Sequence, residues 1–291
     1  MGESTKIAWC NHTFNIAWGC FKVSPGCTHC YAETFAVNRA GFNVWGPPEI
    51  TSRRTFGQKH WDEPLKWNRA AEKAGVRARA FASSMCDNFE DHPTVIVELR
   101  KLWPLIRATP WIDWLLLTKR YERIERSLPA DWGKDGYPNV WLGVSVENQE
   151  YANLRIPALL QVPAAVHFVS YEPALGPVSF ETIYTAGDDD DFVSWNVLTG
   201  QVGGSMRQRQ SEFALDWIIY GGESGSGYRE HDVQWARDTR EQVLRARRWF
   251  ESHSSVNRGP AFFYKQSSAP RTEMGIQLDG EIVREYPEVL R

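Results

Sequence analysis

Three cysteines, Cys20, Cys27 and Cys30, fall within eleven residues, and the rest of the 291-residue chain holds only two more, Cys10 and Cys86. Three thiolates so close together point to one metal centre. An iron–sulfur cube held by three protein thiolates leaves one iron without a protein ligand, and an open coordination position is what separates a reactive site from a closed structural one. Pro25 and Gly26 turn the chain so that Cys27 and Cys30 can face a metal from one loop. The Cys-x-x-Cys pair alone is weak evidence, and the third thiolate across a six-residue gap sharpens it. His29, inside the loop, is expected to point away. As a fourth ligand it would close the site and favour zinc, which is the alternative of a zinc-binding, nucleic-acid-binding protein; a zinc knuckle, however, does not require the seven strands counted below.

The loop resembles the cluster-binding loop of radical S-adenosylmethionine (SAM) enzymes, in which three cysteines hold a 4Fe-4S cluster and an aromatic residue follows the last, as Tyr31 does here. It departs from that pattern in having six residues, not three, between the first two cysteines. More narrowly, the chain resembles the phage Gp37/Gp68 family of radical-SAM-like proteins. The matching stretches are Trp18-Gly-Cys20, Ser24-Pro-Gly-Cys27-Thr-His-Cys30-Tyr-Ala32, Leu116-Leu-Thr-Lys-Arg120, Gly143-Val-Ser-Val-Glu-Asn148, Ser170-Tyr-Glu-Pro173, Gly221-Gly-Glu-Ser-Gly225 and Phe263-Tyr-Lys-Gln266. The resemblance implies a partial (β/α) barrel, a 4Fe-4S cluster on Cys20, Cys27 and Cys30, and SAM bound at the open iron. An electron would then split SAM to methionine and a 5'-deoxyadenosyl radical, so an electron donor of the flavodoxin or ferredoxin type is an implied partner. The phage link makes a DNA pyrimidine or nucleotide, modified by isomerisation or rearrangement, the expected substrate class; a peptide or an RNA is the alternative.

In such barrels the reactive groups gather where strands end. The wider superfamily has a glycine-glycine-glutamate motif after the second strand for the SAM amino group. This chain holds Ser83-Ser-Met-Cys-Asp87 there, so Ser84 and Asp87 are the expected substitutes. Ser145 and Glu147 are candidates for the ribose and carboxylate of SAM, with Ser170 at the next strand end. Gly221, Gly222 and Glu223 follow the sixth strand, where two glycines permit close backbone approach to a ligand. Lys119 and Arg120 are the candidate cations for a substrate phosphate, with Glu172 and Lys265 as further substrate contacts. Cys86 and Lys119 are the candidate catalytic groups, Cys86 as a hydrogen-atom donor, although a free cysteine is more often a small buried residue. The arginines near 237–248 and the pair Arg53 and Arg54 are candidates for a nucleic-acid face, against the commoner reading of a charged exposed surface.

These positions need a scaffold, and the apolar runs supply one. Strands are expected over 14–19, 79–83, 114–117, 140–144, 166–169, 217–220 and 261–264, and helices over 33–39, 62–73, 93–107, 121–127, 148–160 and 233–253. The alternation implies parallel strands joined by crossover helices, an α/β partial barrel of six or seven strands in one domain over 1–291. A surface insertion is expected over 181–211, with a possible hairpin at 192–197 and 201–202, and a terminal hairpin over 274–285 turning at Asp279-Gly280. With 42% hydrophobic residues the chain can bury a large core, while a net charge of -3 argues against indiscriminate coating of nucleic acid. No apolar run nears eighteen residues and no charged-then-apolar leader opens the chain, so the expectation is no membrane span and a cytoplasmic location, in the host if phage-encoded. An odd number of cysteines, three in one loop, does not read as a disulfide framework.

Overall fold

The computed structural model describes residues 5–186, 192–203, 209–210, 214–253 and 259–289. Strand β1 (His12–Phe14) is short. The apolar run expected to extend it over 14–19 leaves the sheet at Asn15, whose buried side chain accepts from the Met85 amide at 2.7 Å. Trp18 then exchanges backbone hydrogen bonds with Arg54 at 2.8 and 3.0 Å. Gly19 sits at φ 115°, and a Cβ there would run into the Val44 carbonyl, so only glycine lets the chain pass. Beyond the cysteine loop come α1 (Tyr31–Thr34), continued by a π-helical turn over Phe35–Arg39, then α2 (Gln58–Trp61) and α3 (Glu63–Ala74). Helix α3 starts with Pro64 in its first turn and ends on Gly75 at φ 65°, the punctuation expected from the sequence.

Strand β2 (Ala78–Ala82) lies parallel to β1, with His12 opposite Ala80, and β3 (Ile112–Thr118) lies parallel to β2, with Ala80 opposite Trp114. Between them α4 (Pro93–Ala108) is capped by His92, whose ring accepts from the Thr94 amide at 3.1 Å. Strand β3 runs into a 3-10 turn at Tyr121–Arg123 and α5 (Ile124–Ser127). Strand β4 (Val140–Ser145) follows, then α6 (Gln149–Leu160), capped by the Asn148 side chain on the Tyr151 amide at 3.2 Å.

Strand β5 (Val166–Tyr171) precedes β6 (Ile183–Ala186), β7 (Phe192–Asn196), β8 (Gln201–Gly203) and β9 (Arg209–Gln210), which form their own antiparallel sheet in that order. The hairpin expected inside the insertion is thus the β7–β8 pair, flanked by two further strands. The four aspartates at 188–191 lie outside the described residues. Strand β10 (Trp217–Gly221), α7 (Val233–His253) and β11 (Ala261–Gln266) complete the main pattern.

The main sheet has seven strands in the order β1-β2-β3-β4-β5-β10-β11. Strand β10 is parallel to both β5 and β11. Neighbours follow chain order without reversal, which is the order of a (β/α) barrel and not of a doubly wound sheet with a switch point. Strands β4, β5 and β10 are buried along their whole length, the mark of parallel strands covered on both faces. The expected terminal hairpin is reduced to a two-residue turn: Asp279 and Gly280 have φ 54° and 84°, and Leu278 and Glu281 exchange backbone bonds at 2.9 and 3.0 Å. The segment after it pairs with β11 through Tyr264 and Val283 at 2.8 Å. The chain divides into two compact units, Met1–Gly143 and Val144–Arg291. No helix among the described residues is long and apolar enough to cross a membrane.

Candidate functional site

The cysteine loop belongs to the first unit, and what fixes it is a buried lattice of charge. Arg120, just past β3, donates through Nη2 to the Phe21 carbonyl at 2.7 Å and through Nη1 to Cys20 Sγ at 3.6 Å. The same guanidinium pairs with Asp87 at 2.9 Å and with Glu90 at 3.5 Å. Asp87 also accepts from Thr118 Oγ1 at 2.7 Å and from the amides of Phe89 and Lys119 at 3.0 and 3.1 Å. Glu90 in turn takes a two-pronged bond from Arg53, both prongs at 2.9 Å, and Arg53 also donates to the carbonyls of Val44 at 3.1 Å and Gly46 at 2.9 Å. Arg53, Asp87, Glu90 and Arg120 are all 7% exposed or less, so these charges meet in a medium that screens them weakly.

The opposite end of the loop is tied down separately. Tyr31 is 56% exposed, yet its hydroxyl donates to the Ser84 carbonyl at 2.8 Å, fastening the residue after Cys30 to the loop that leaves β2. Ser83 turns that loop with a left-handed φ of 70°, and the Ser84 hydroxyl is held by Asn15 Nδ2 at 3.2 Å.

The three thiols are free and half-buried. Burial pushes the Cys20 thiol up, with Arg120 pulling against it, and charge on Cys30 is felt there. Burial likewise raises Cys30, opposed by the amides of Glu33 and Ala32 and by Lys119, with Cys27 adding to the rise. The Ser24 hydroxyl lies 3.7 Å from Cys27 Sγ. Cys20 and Cys30 thus each stand in the field of another sulfur of the loop and of a nearby cation. Among the described residues no three of Cys, His, Asp and Glu close up tightly enough to hold a single metal ion. A tetrahedral ion with sulfur at about 2.3 Å would need them about 3.8 Å apart. A four-iron cube places each thiolate on a different iron, and three half-buried thiols, with Arg120 beside Cys20 and the Ser24 hydroxyl beside Cys27, are the kind of donor such a cube takes.

For the residues expected to bind cofactor or substrate, the structure sorts the list. Asp87 spends its oxygens on Arg120, Thr118 and two amides, which makes it a clasp and not an acceptor for an ammonium group. Burial pushes its carboxyl up, but Arg120 and these donors outweigh it and leave the group below its ordinary value. Arg120, 6% exposed and held on both sides by carboxylates, is not placed as a phosphate anchor. Cys86 lies against Ser83 and the Ala17 backbone, and burial pushes its thiol up to about 12.

In the second unit Glu147 is fully buried and paired with Arg155 at 3.0 Å, and Arg155 also donates to the Ser145 carbonyl at 2.8 Å. Ser145 and Ser170 are buried, and the Ser170 carbonyl accepts from the Val146 amide. Glu223 is held by Arg229 through its backbone amide at 2.8 Å and Nε at 2.9 Å. Glu172 and Lys265, expected as separate substrate contacts, pair with each other at 2.5 Å. The glycines after β10 also have internal reasons. A Cβ on Gly222 would run into the Ser268 amide, and one on Gly221 would crowd the Glu172 carboxyl at 3.0 Å. The chain itself approaches both glycines closely.

The arginines of α7 pair with acids brought by the fold: Arg237 with Asp279 at 2.7 Å, Arg240 with Glu281 at 3.4 Å and Arg245 with Glu181 at 2.8 Å. That is a solvated ion-pair surface, the commoner of the two readings. Arg54 stacks over Phe42 at 4.1 Å and Trp18 at 5.1 Å. Sequence reasoning missed Arg53 and Glu90 as one pair, and nothing local announces it, because 37 residues separate them.

Among solved structures the chain resembles a variant of spore photoproduct lyase with bound AdoMet and a dinucleoside spore photoproduct, at 16% identity and a TM-score of 0.44. The alignment covers 89% of this chain and 57% of that one. No curated protein matches the sequence. The family model described as "Protein of unknown function (DUF5131)" matches residues 4–287, nearly the whole chain, and the protein belongs to that family.

Proposed function

We propose that this protein is a radical SAM enzyme in which Cys20, Cys27 and Cys30 hold a 4Fe-4S cluster. The observation that carries the reading is the pinned loop: three free, half-buried thiols, one accepting from Arg120 at 3.6 Å, fastened at Phe21 by Arg120 and beyond Cys30 by Tyr31. When bound, the cluster supplies the electron that cleaves SAM to methionine and a 5'-deoxyadenosyl radical. The chain's own part is to hold three thiolates in one place and to leave the fourth iron open. Ordering such a loop beforehand lowers the conformational cost of taking up the cluster. An electron carrier of the flavodoxin or ferredoxin type is the partner this chemistry requires. Anaerobic reconstitution with iron and sulfide, followed by incubation with SAM and dithionite, is the test. Formation of 5'-deoxyadenosine supports the reading, and its absence in protein carrying a full cluster overturns it.

For substrate we propose a nucleotide or DNA pyrimidine, supported by the resemblance to the phage Gp37/Gp68 proteins. Of the two cations expected at a phosphate, Lys119 is the one still suited to it, being half-buried where Arg120 is enclosed. Binding to single-stranded DNA should weaken with a log–log salt slope of about 0.7 per phosphate contact. Lys119→Ala should reduce both affinity and slope while iron content is unchanged. If a peptide or an RNA stimulates 5'-deoxyadenosine formation and DNA and nucleotides do not, the substrate class is wrong.

A further inference from the structure

Arg120 has a better-defined place than any substrate contact needs. Four of its N–H groups are used, by Asp87, Glu90, the Phe21 carbonyl and Cys20 Sγ. Neither carboxylate is free to move, because Thr118 and two amides hold Asp87 while Arg53 holds Glu90. The two arginines and two carboxylates cancel in charge, yet the member that touches the cysteine is a cation. Buried ion networks of this kind contribute little net stability compared with apolar packing, so stability is a poor reason for one here. What the lattice achieves is to fix a positive charge and an N–H donor against one particular sulfur.

We propose that Arg120 is a positioning residue for the cluster that sets its reduction potential: held in register by Asp87 and Glu90, it donates to the Cys20 thiolate and stabilises the added electron. The proposal rests on the cluster reading above. The step is a one-electron reduction of the cluster by a low-potential carrier, dithionite in the assay. No bond is made or broken, and the cluster becomes more negative by one charge. A fixed cation and donor beside a ligand sulfur favour that more negative state, in a site where burial leaves them weakly screened.

The test is a dye-mediated potentiometric titration of the reconstituted protein, following the visible bleaching and the EPR signal of the reduced cluster. Arg120→Gln should lower the equilibrium constant for reduction at least tenfold, a fall of about 59 mV for one electron. Arg120→Gln leaves Asp87 without its counter-charge, so the double variant Arg120→Gln with Asp87→Asn is prepared beside it. The double variant removes a cation and an anion together, keeps the Arg53–Glu90 pair, and should move the potential in the same direction by a smaller amount. An unchanged or raised potential, in whichever variant retains wild-type iron and sulfide content, overturns the proposal. If the wild-type protein takes up no four-iron cluster, the cluster reading falls and this proposal with it, and the iron and sulfide assay tells the two failures apart.

Discussion

Neutralising Asp87 removes the centre of the clasp without changing its shape. Asp87 is 7% exposed and bonded to Arg120, Thr118 Oγ1 and the amides of Phe89 and Lys119. Breaking a buried pair by removing one charge costs about 3–5 kcal/mol, because the other charge is left uncompensated. In Asp87→Asn the amide oxygen still accepts from two of the neutral donors, and Arg120 keeps its weaker contact to Glu90 at 3.5 Å, so the lower end, about 3 kcal/mol, applies. With a urea m-value of about 3 kcal/mol/M for a chain of this size, the unfolding midpoint should fall by about 1 M. The folded carboxyl sits below its ordinary value of 3.8. Its contribution is therefore fully present above the unfolded value and is lost as pH falls through the folded one. The gap between wild type and Asp87→Asn should stay constant from pH 7 to 5 and close below pH ~4. Urea titrations followed by circular dichroism at pH 7, 5 and 3 measure it. A gap under about 1 kcal/mol at pH 7, or one that does not narrow at pH 3, would refute the assignment of Asp87 as an ionised clasp.

Gly222 and three histidines give two further expected outcomes. Gly222→Ala should destabilise the protein by about 1–3 kcal/mol, because the new methyl meets the Ser268 amide; normal stability with lost SAM binding would instead mean that the glycine makes room for a ligand. Burial holds His60, His167 and His231 below the ordinary imidazole value. The unfolded chain then binds more protons than the folded one below about pH 6.5, so stability should decline as pH drops from 7.5 to 5.5 and decline less steeply in His167→Gln. A flat or rising profile contradicts this.

The parts of the fold that were legible in sequence are those whose local chemistry and final environment agree. Strands β4, β5 and β10 are short apolar runs because both of their faces are covered, and α3 and α6 carry their own stops and caps in Pro64, Gly75 and Asn148. The run at 14–19 misled because Phe14, Ile16 and Ala17 are all fully buried, and burial looks the same in sequence whether a residue is in a sheet or just past its end. The cysteine loop stands out in the sequence by its spacing. Its supporting lattice was not, since Arg120 meets Asp87 across 33 residues and Cys20 across 100. A charged residue at a strand end reads the same whether it faces ligand or a partner. Glu147, Glu223, Glu172 and Lys265 all have partners within the chain, at Arg155, Arg229 and each other.

We propose above that Cys20, Cys27 and Cys30 hold a four-iron cluster whose fourth iron is open to SAM. The EPR spectrum of the dithionite-reduced, anaerobically reconstituted protein, recorded before and after adding SAM, tests it most directly. The expected result is a reduced-cluster signal that changes when SAM is added and that is absent when any one of the three cysteines is replaced by Ala. A signal indifferent to SAM, or full iron and sulfide content in the triple Ala variant, would contradict it.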